Sequence, residues 1–133
     1  MKRLVTLIMM MFICIASFSQ TYAFKTTSYA IKRTVQSGGS GVWSDWIPMK
    51  MTIAIDVGND VVFLQSDEPT QIHIIDDLGT INDNNGGTQL RFMCIDSDRL
   101  RCTLRIRRET NGNNQIYIDY NDISIVYNVV YLY

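Results

Sequence analysis

The stretch RFMCIDSDRLRCTLRIRR, residues 91–108, alternates in a way that only a half-buried strand satisfies. Leu100, Cys102, Leu104 and Ile106 interleave with Arg101, Thr103, Arg105 and Arg107, so one face is apolar and the other basic. Upstream, Leu90, Phe92 and Cys94 form a second alternating set, and the turn formers Asp96, Ser97 and Asp98 lie between the two. The stretch therefore reads as a β-hairpin. Opposed residues of an antiparallel ladder have a constant sum of residue numbers. Setting Cys94 against Cys102 thus also sets Phe92 against Leu104 and Leu90 against Ile106, all on one face.

The same rule carries the register onward. Asn111-Gly112 is a strong turn signal, and a hairpin around it places Leu104 opposite Ile118, Ile106 opposite Ile116 and Tyr120 opposite Cys102. A tight turn at Asn121-Asp122 then pairs Tyr120 with Ile123, Ile118 with Ile125 and Ile116 with Tyr127. Four consecutive strands share one apolar face without a register conflict, the agreement between levels expected of a foldable sequence.

At the other end, Met1 to about Ala23 reads as a secretory signal peptide. Lys2 and Arg3 supply the positive end, Leu4 to Phe18 is almost wholly apolar, and Ser17, Ser19 and Ala23 offer cleavage after Ser19 or Ala23. The apolar run is shorter than the roughly 20 residues a spanning helix needs, so the mature chain is expected to lack a transmembrane segment and to be secreted or periplasmic. Residues 24–133 then form a single domain. Removing Lys2 and Arg3 takes Lys plus Arg from 12 to 10 against 13 Asp plus Glu, a net charge of −3. That balance offers nothing to a nucleic acid. With Cys14 removed, Cys94 and Cys102 remain, and in an oxidising compartment their shared register predicts a disulfide. The alternative is two buried thiols, because directly opposed Cβ atoms lie about 4.5 to 5.5 Å apart and a bridge prefers about 3.8 Å.

Between these ends the chain reads as more strands. Thr21 to Gln36 alternates loosely through Tyr22, Phe24, Tyr29, Ile31 and Val35, giving one long strand or two short ones. SGGSG, residues 37–41, is a flexible connector. Met49 to Val57 alternates cleanly, Val61 to Gln65 is a short apolar strand, and Gln71 to Asp76 is another that Leu78 to Ile81 prolongs past Gly79. Seven to nine strands at this spacing mean an all-β fold. A single small antiparallel barrel, built mainly as a meander and calycin-like, is the expected form, because every readable connection is short and closure removes edges. A two-sheet sandwich is the alternative.

The search for chemistry gives mostly absences. His73 is the only histidine and sits mid-strand, so neither Cys-His nor Ser-His-Asp catalysis can be assembled. Zinc spacing is missing. Asp96-Ser97-Asp98 and Asp83-Asn84-Asn85 lack the Gly and distal Glu of a calcium loop. Asp76 and Asp77 alternate across a strand and point apart, unlike a glycosidase pair. No cofactor signature is present, and an enzyme is not expected.

One surface is unusual. Arg91, Arg101, Arg105 and Arg107 point away from the apolar face with Tyr117, and Met93, Ile95 and Val126 interleave with them. A face both basic and apolar suits an anionic glycan or an acidic protein partner; ion pairing with Asp119, or cover by another element, would instead make it structural. Trp43 and Trp46 form a further aromatic pair. Gly41-Val42-Trp43 resembles the lipocalin and avidin-like signature, but a strand-like segment precedes it here, so no role is carried over. The Trp43–Trp46 spacing, Cys94 to Cys102 and Ile116 to Tyr120 together are similar to small secreted β-rich proteins of Gram-negative gut bacteria without an assigned activity. That resemblance implies export and a compact β domain. The functional expectation is an exported binding or interaction module, with a small-molecule carrier or a secreted protease inhibitor working through the Asn82–Thr88 loop as alternatives.

Overall fold

The computed structural model describes residues 21–33, 41–82, 86–110 and 112–132. They form nine strands: β1 Thr21–Arg33, β2 Ile47–Pro48, β3 Thr52–Asp56, β4 Val61–Gln65, β5 Thr70–Asn82, β6 Gly87–Asp96, β7 Arg101–Glu109, β8 Asn114–Asp119 and β9 Ile123–Tyr131. From β3 onward each strand pairs antiparallel with the next, β3 pairs back to β1, and β1 pairs with β9. The result is a closed eight-stranded antiparallel barrel, with β2 as an extra strand on β1. Closure, rather than a two-sheet sandwich, removes the open edges that exposed strands would present. Residues 1–20, which hold most of the expected signal peptide, residues 34–40, which hold most of the expected SGGSG connector, and residues 83–85 of the expected Asn82–Thr88 loop lie outside the described residues. Thr21, Tyr22 and Ala23 belong to the barrel, opposite Asp56, Ile55 and Ala54, so its first strand starts before Phe24.

The meander has the register that alternation dictates. Cys94 faces Cys102, Phe92 faces Leu104 and Leu90 faces Ile106; Leu104 faces Ile118 and Ile106 faces Ile116; Ile116 faces Tyr127 and Ile118 faces Ile125. Inward residues of all the barrel strands fill one core that includes Phe24, Ile53, Ile55, Val62, Ile72, Phe92, Leu104, Ile116, Ile118 and Tyr127. Apart from Asp77 at the barrel mouth, the core is apolar and the charged rows of the described wall face outward, the inverse of a membrane-spanning barrel with its apolar belt facing lipid. No helix among the described residues is long and apolar enough to cross a membrane.

Leu100 departs from its expected place: β7 begins at Arg101, and Leu100 lies exposed in the turn. That turn is held by Asp96, whose Oδ1 accepts from the Asp98 and Leu100 amides, both at 2.9 Å, and whose Oδ2 accepts from the Tyr120 hydroxyl at 2.9 Å. Both oxygens of the Asp96 carboxylate are therefore engaged in holding the turn.

The expected Cys94–Cys102 disulfide is not formed; both residues are buried thiols. The ladder explains it. Asp96 N–H donates to Leu100 O at 3.0 Å, which makes Asp96 and Leu100 a hydrogen-bonded pair. Pair types alternate, so Cys94 and Cys102, two steps along, are again a hydrogen-bonded pair, the wider kind with Cα atoms about 5.5 Å apart. The Cβ separation stays beyond the distance a bridge prefers. The neighbouring Cys102 sulfur and burial together push the Cys94 thiol far above its ordinary value.

Candidate functional site

β6, β7, β8, β9 and β1 lie side by side, and their outward residues form rows around the wall. One row runs Arg91, Arg105, Tyr117, Val126, Ala30. Its neighbours run Gln89, Arg107, Gln115, Asn128, Ser28 and Met93, Thr103, Asp119, Ser124, Lys32. The expected basic face is thus assembled, but most of its charge is committed. Arg105 forks onto the Asp119 carboxylate, with Nη2 to Oδ1 at 3.1 Å, and its guanidinium lies 4.2 Å from the Tyr117 ring centroid. Arg107 pairs with Glu109 and reaches Gln115 Oε1 at 3.4 Å. Arg91 gives Nη2 to Leu78 O at 3.2 Å, and its Nε is buried without a hydrogen-bond partner among the described residues. Arg101 alone of the four stands exposed. Opposed Arg91 and Arg105 are tolerated because Asp119 and the Tyr117 ring draw Arg105 sideways.

The aromatic pair has a location that sequence reasoning missed. The segment from Gly41 to Met49 runs as a strap beside the upper half of β1. Its start demands glycine, since a Cβ on Gly41 would fall 1.7 Å from Arg33 O. Ser44 N–H donates to Ile31 O at 2.8 Å, and Ile31 N–H donates to Ser44 Oγ at 2.9 Å. Trp43 is then opposite Lys32, yet its ring meets Tyr117 edge-on at 6.1 Å. To reach β8 from beyond β1 it must cross Ala30 and Val126, which are only 1% and 3% exposed although they point outward. Lys32 Nζ sits 4.9 Å from the Trp43 ring centroid. Asp119, Arg105, Tyr117, Trp43 and Lys32 therefore form one continuous stack across the wall. Trp43 stays 37% exposed and Trp46 48%, a large aromatic area left in water. Burial raises the Tyr117 phenol above its ordinary value despite the two nearby guanidiniums.

The other candidates fall into place without chemistry. His73 points outward and is exposed, opposite Val61 and Ile95. Asp76 lies opposite Met93 on the outside and Asp77 opposite Phe92 on the inside, so the two carboxylates do point apart. Among the described residues no three His, Cys, Asp or Glu are grouped to hold a metal ion. At the barrel mouth Tyr22, Val57, Asp77, Leu90, Phe92 and Ile106 surround a hollow of about 230 Å3, below the range of about 300 to 1,000 Å3 usual for small-molecule sites. Beneath it the inward side chains of the described residues pack into one core.

Comparison with protein-family models, curated proteins and solved structures gives no match.

Proposed function

We propose that this chain is an exported binding module that recognises a glycan through the outer wall centred on Trp43 and Tyr117. The observation that supports it is the stack from Lys32 through Trp43 and Tyr117 to Arg105. It holds aromatic rings rigid and partly open to water, with donors beside them, at low ordering cost on binding. Arg101 adds a free positive charge at the lower end of the wall. Because Asp119 and Glu109 neutralise Arg105 and Arg107, aromatic contact outweighs charge, and the anionic preference drawn from the arginines alone loses weight.

Trp43→Ala should weaken glycan binding by about 2 kcal/mol, the scale of an aromatic hot spot. A glycan array probed with labelled wild type and variant reads this directly. Wild type without any array signal, together with specific capture of one envelope protein, would replace the glycan by a protein partner.

Export is the second half of the reading, and the barrel favours cleavage after Ser19, which leaves Thr21–Ala23 paired to β3. The exported chain, denatured and alkylated, should have the mass of a chain starting at Gln20 with adducts on Cys94 and Cys102. A chain starting at Phe24, or one without adducts, would count against the cleavage site or the thiols respectively.

A further inference from the structure

A polar cleft of about 360 Å3 opens beside the Trp43–Tyr117 stack, where the β7–β8 turn meets β9 and the bulge of β1. Thr27, Glu109, Gln115 and Asn128 give it polar walls, and Val129 and Val130 give it apolar surface. Its amides are already oriented. Gln115 Oε1 accepts from the Tyr117 hydroxyl at 2.9 Å and from Arg107 at 3.4 Å, while Gln115 Nε2 donates to Asn128 Oδ1 at 3.0 Å. Asn128 Nδ2 in turn donates to Ser28 Oγ at 3.0 Å. An amide nitrogen has two N–H donors and its oxygen two lone pairs. Among the described residues, Gln115 and Asn128 thus each keep one N–H uncommitted, and Asn128 Oδ1 keeps one lone pair. The Thr27 hydroxyl donates to Asn128 O at 3.3 Å and so retains its capacity to accept. Glu109 and Arg107 neutralise one another, which leaves the cleft without net charge.

We infer that this cleft is a subsite for an uncharged, polyhydroxylated unit, a neutral sugar of the glycan chain. Each sugar hydroxyl is both donor and acceptor, and the cleft offers N–H groups and oxygen lone pairs side by side over an apolar wall. Gln115 and Tyr117 are alternate residues on one face of β8, about 7 Å apart, so a chain stacked on Trp43 continues into the cleft. The inference rests on the glycan reading and adds the chemistry of the unit that is read.

Affinity electrophoresis through glycogen, galactomannan and xyloglucan, with alginate as the anionic probe, tests it on the mature chain. Wild type should be retarded by at least one neutral polysaccharide. Asn128→Asp keeps the acceptor for Gln115, exchanges the donor to Ser28 for an oxygen toward which the Ser28 hydroxyl can turn, removes the free N–H and adds a charge; it should weaken that binding about tenfold or more. Thr27→Val removes the open acceptor with little change of shape, should weaken binding in the same direction, and serves alone if Asn128→Asp does not fold. If both folded variants bind like wild type while Trp43→Ala does not, the cleft assignment is overturned and the glycan reading stands. Retardation by alginate only would also overturn the neutral subsite. Wild type bound by none of the four would overturn the glycan reading and this inference with it.

Discussion

Leu104→Ala should lower the unfolding free energy by about 3 to 5 kcal/mol, a large fraction of what holds a single domain of this size together. Leu104 is fully buried at the centre of β7, between Phe92 on β6 and Ile118 on β8. The loss combines the transfer energy of the deleted methyl and methylene groups with the cavity left behind. A closed barrel gives the neighbouring strands little freedom to collapse inward, because each is tied by ladders on both edges, which favours the upper part of the range. Urea denaturation with an unchanged m-value measures it. A loss under about 1.5 kcal/mol, the scale of a tolerated volume change, would mean an interior loose enough to admit a ligand and would favour the carrier reading.

Thr26→Val should cost about 2 to 3 kcal/mol although it preserves shape, because it strips a buried latch of its hydroxyl. At Thr26 the ladder on one side of β1 is interrupted, ending with Lys25 opposite Thr52 and resuming with Ser28 opposite Pro48, and a bulge shifts the β1–β9 register between Thr26 and Ser28. The hydroxyl fills the gap: Met51 N–H donates to Oγ1 at 2.8 Å, and Oγ1 donates to Met49 O at 3.0 Å. The Thr26 amide donates to Met51 O at 2.8 Å. Valine would leave the Met51 amide buried and unpaired, the costly side of the hydrogen-bond asymmetry. Thr26→Ser keeps the latch and should recover most of the loss. The same denaturation series, with hydrogen exchange of the Met51 amide, checks it; a valine variant as stable as wild type would show that the latch contributes nothing.

The register of β6 to β9 was legible residue by residue because turns and alternation constrain one another across four adjacent strands. β1 read as loose alternation for a physical reason: the bulge after Thr26 changes the parity, so Phe24 and Tyr29 both face inward. Bulges between Ile74 and Asp76 and between Asp77 and Gly79 blurred the second half of β5 in the same way. The Arg105–Asp119 diagonal followed from the register, whereas Arg107–Glu109, two residues apart on one strand face, carried no cross-strand signal. Alternation places Cys94 opposite Cys102, as the ladder does. Their bridge failed on whether the pair is the wide or the narrow kind, which depends on how the Asp96–Leu100 turn closes. The Trp43–Tyr117 contact was out of reach, since the strap leaves the ladder whose arithmetic reaches Tyr117. Its only sequence hint was two small or branched outward residues, Ala30 and Val126, in a row otherwise made of large polar groups.

Because β1 pairs with β9, the contact that closes the barrel joins the two ends of the described chain. Leu132 N–H still donates to Ala23 O at 2.8 Å, one step beyond the pairing of Phe24 with Tyr131. Such a pairing cannot form until the whole meander has been laid down, so its loop-closure entropy falls late and folding belongs to the slow, millisecond-to-second class of non-local β proteins. A chain stopped before Ile123 has no partner for the free side of β8 and none for the long edge of β1. Each becomes a template for pairing with another molecule. Assembly is therefore all or none, with no half barrel that can persist on its own.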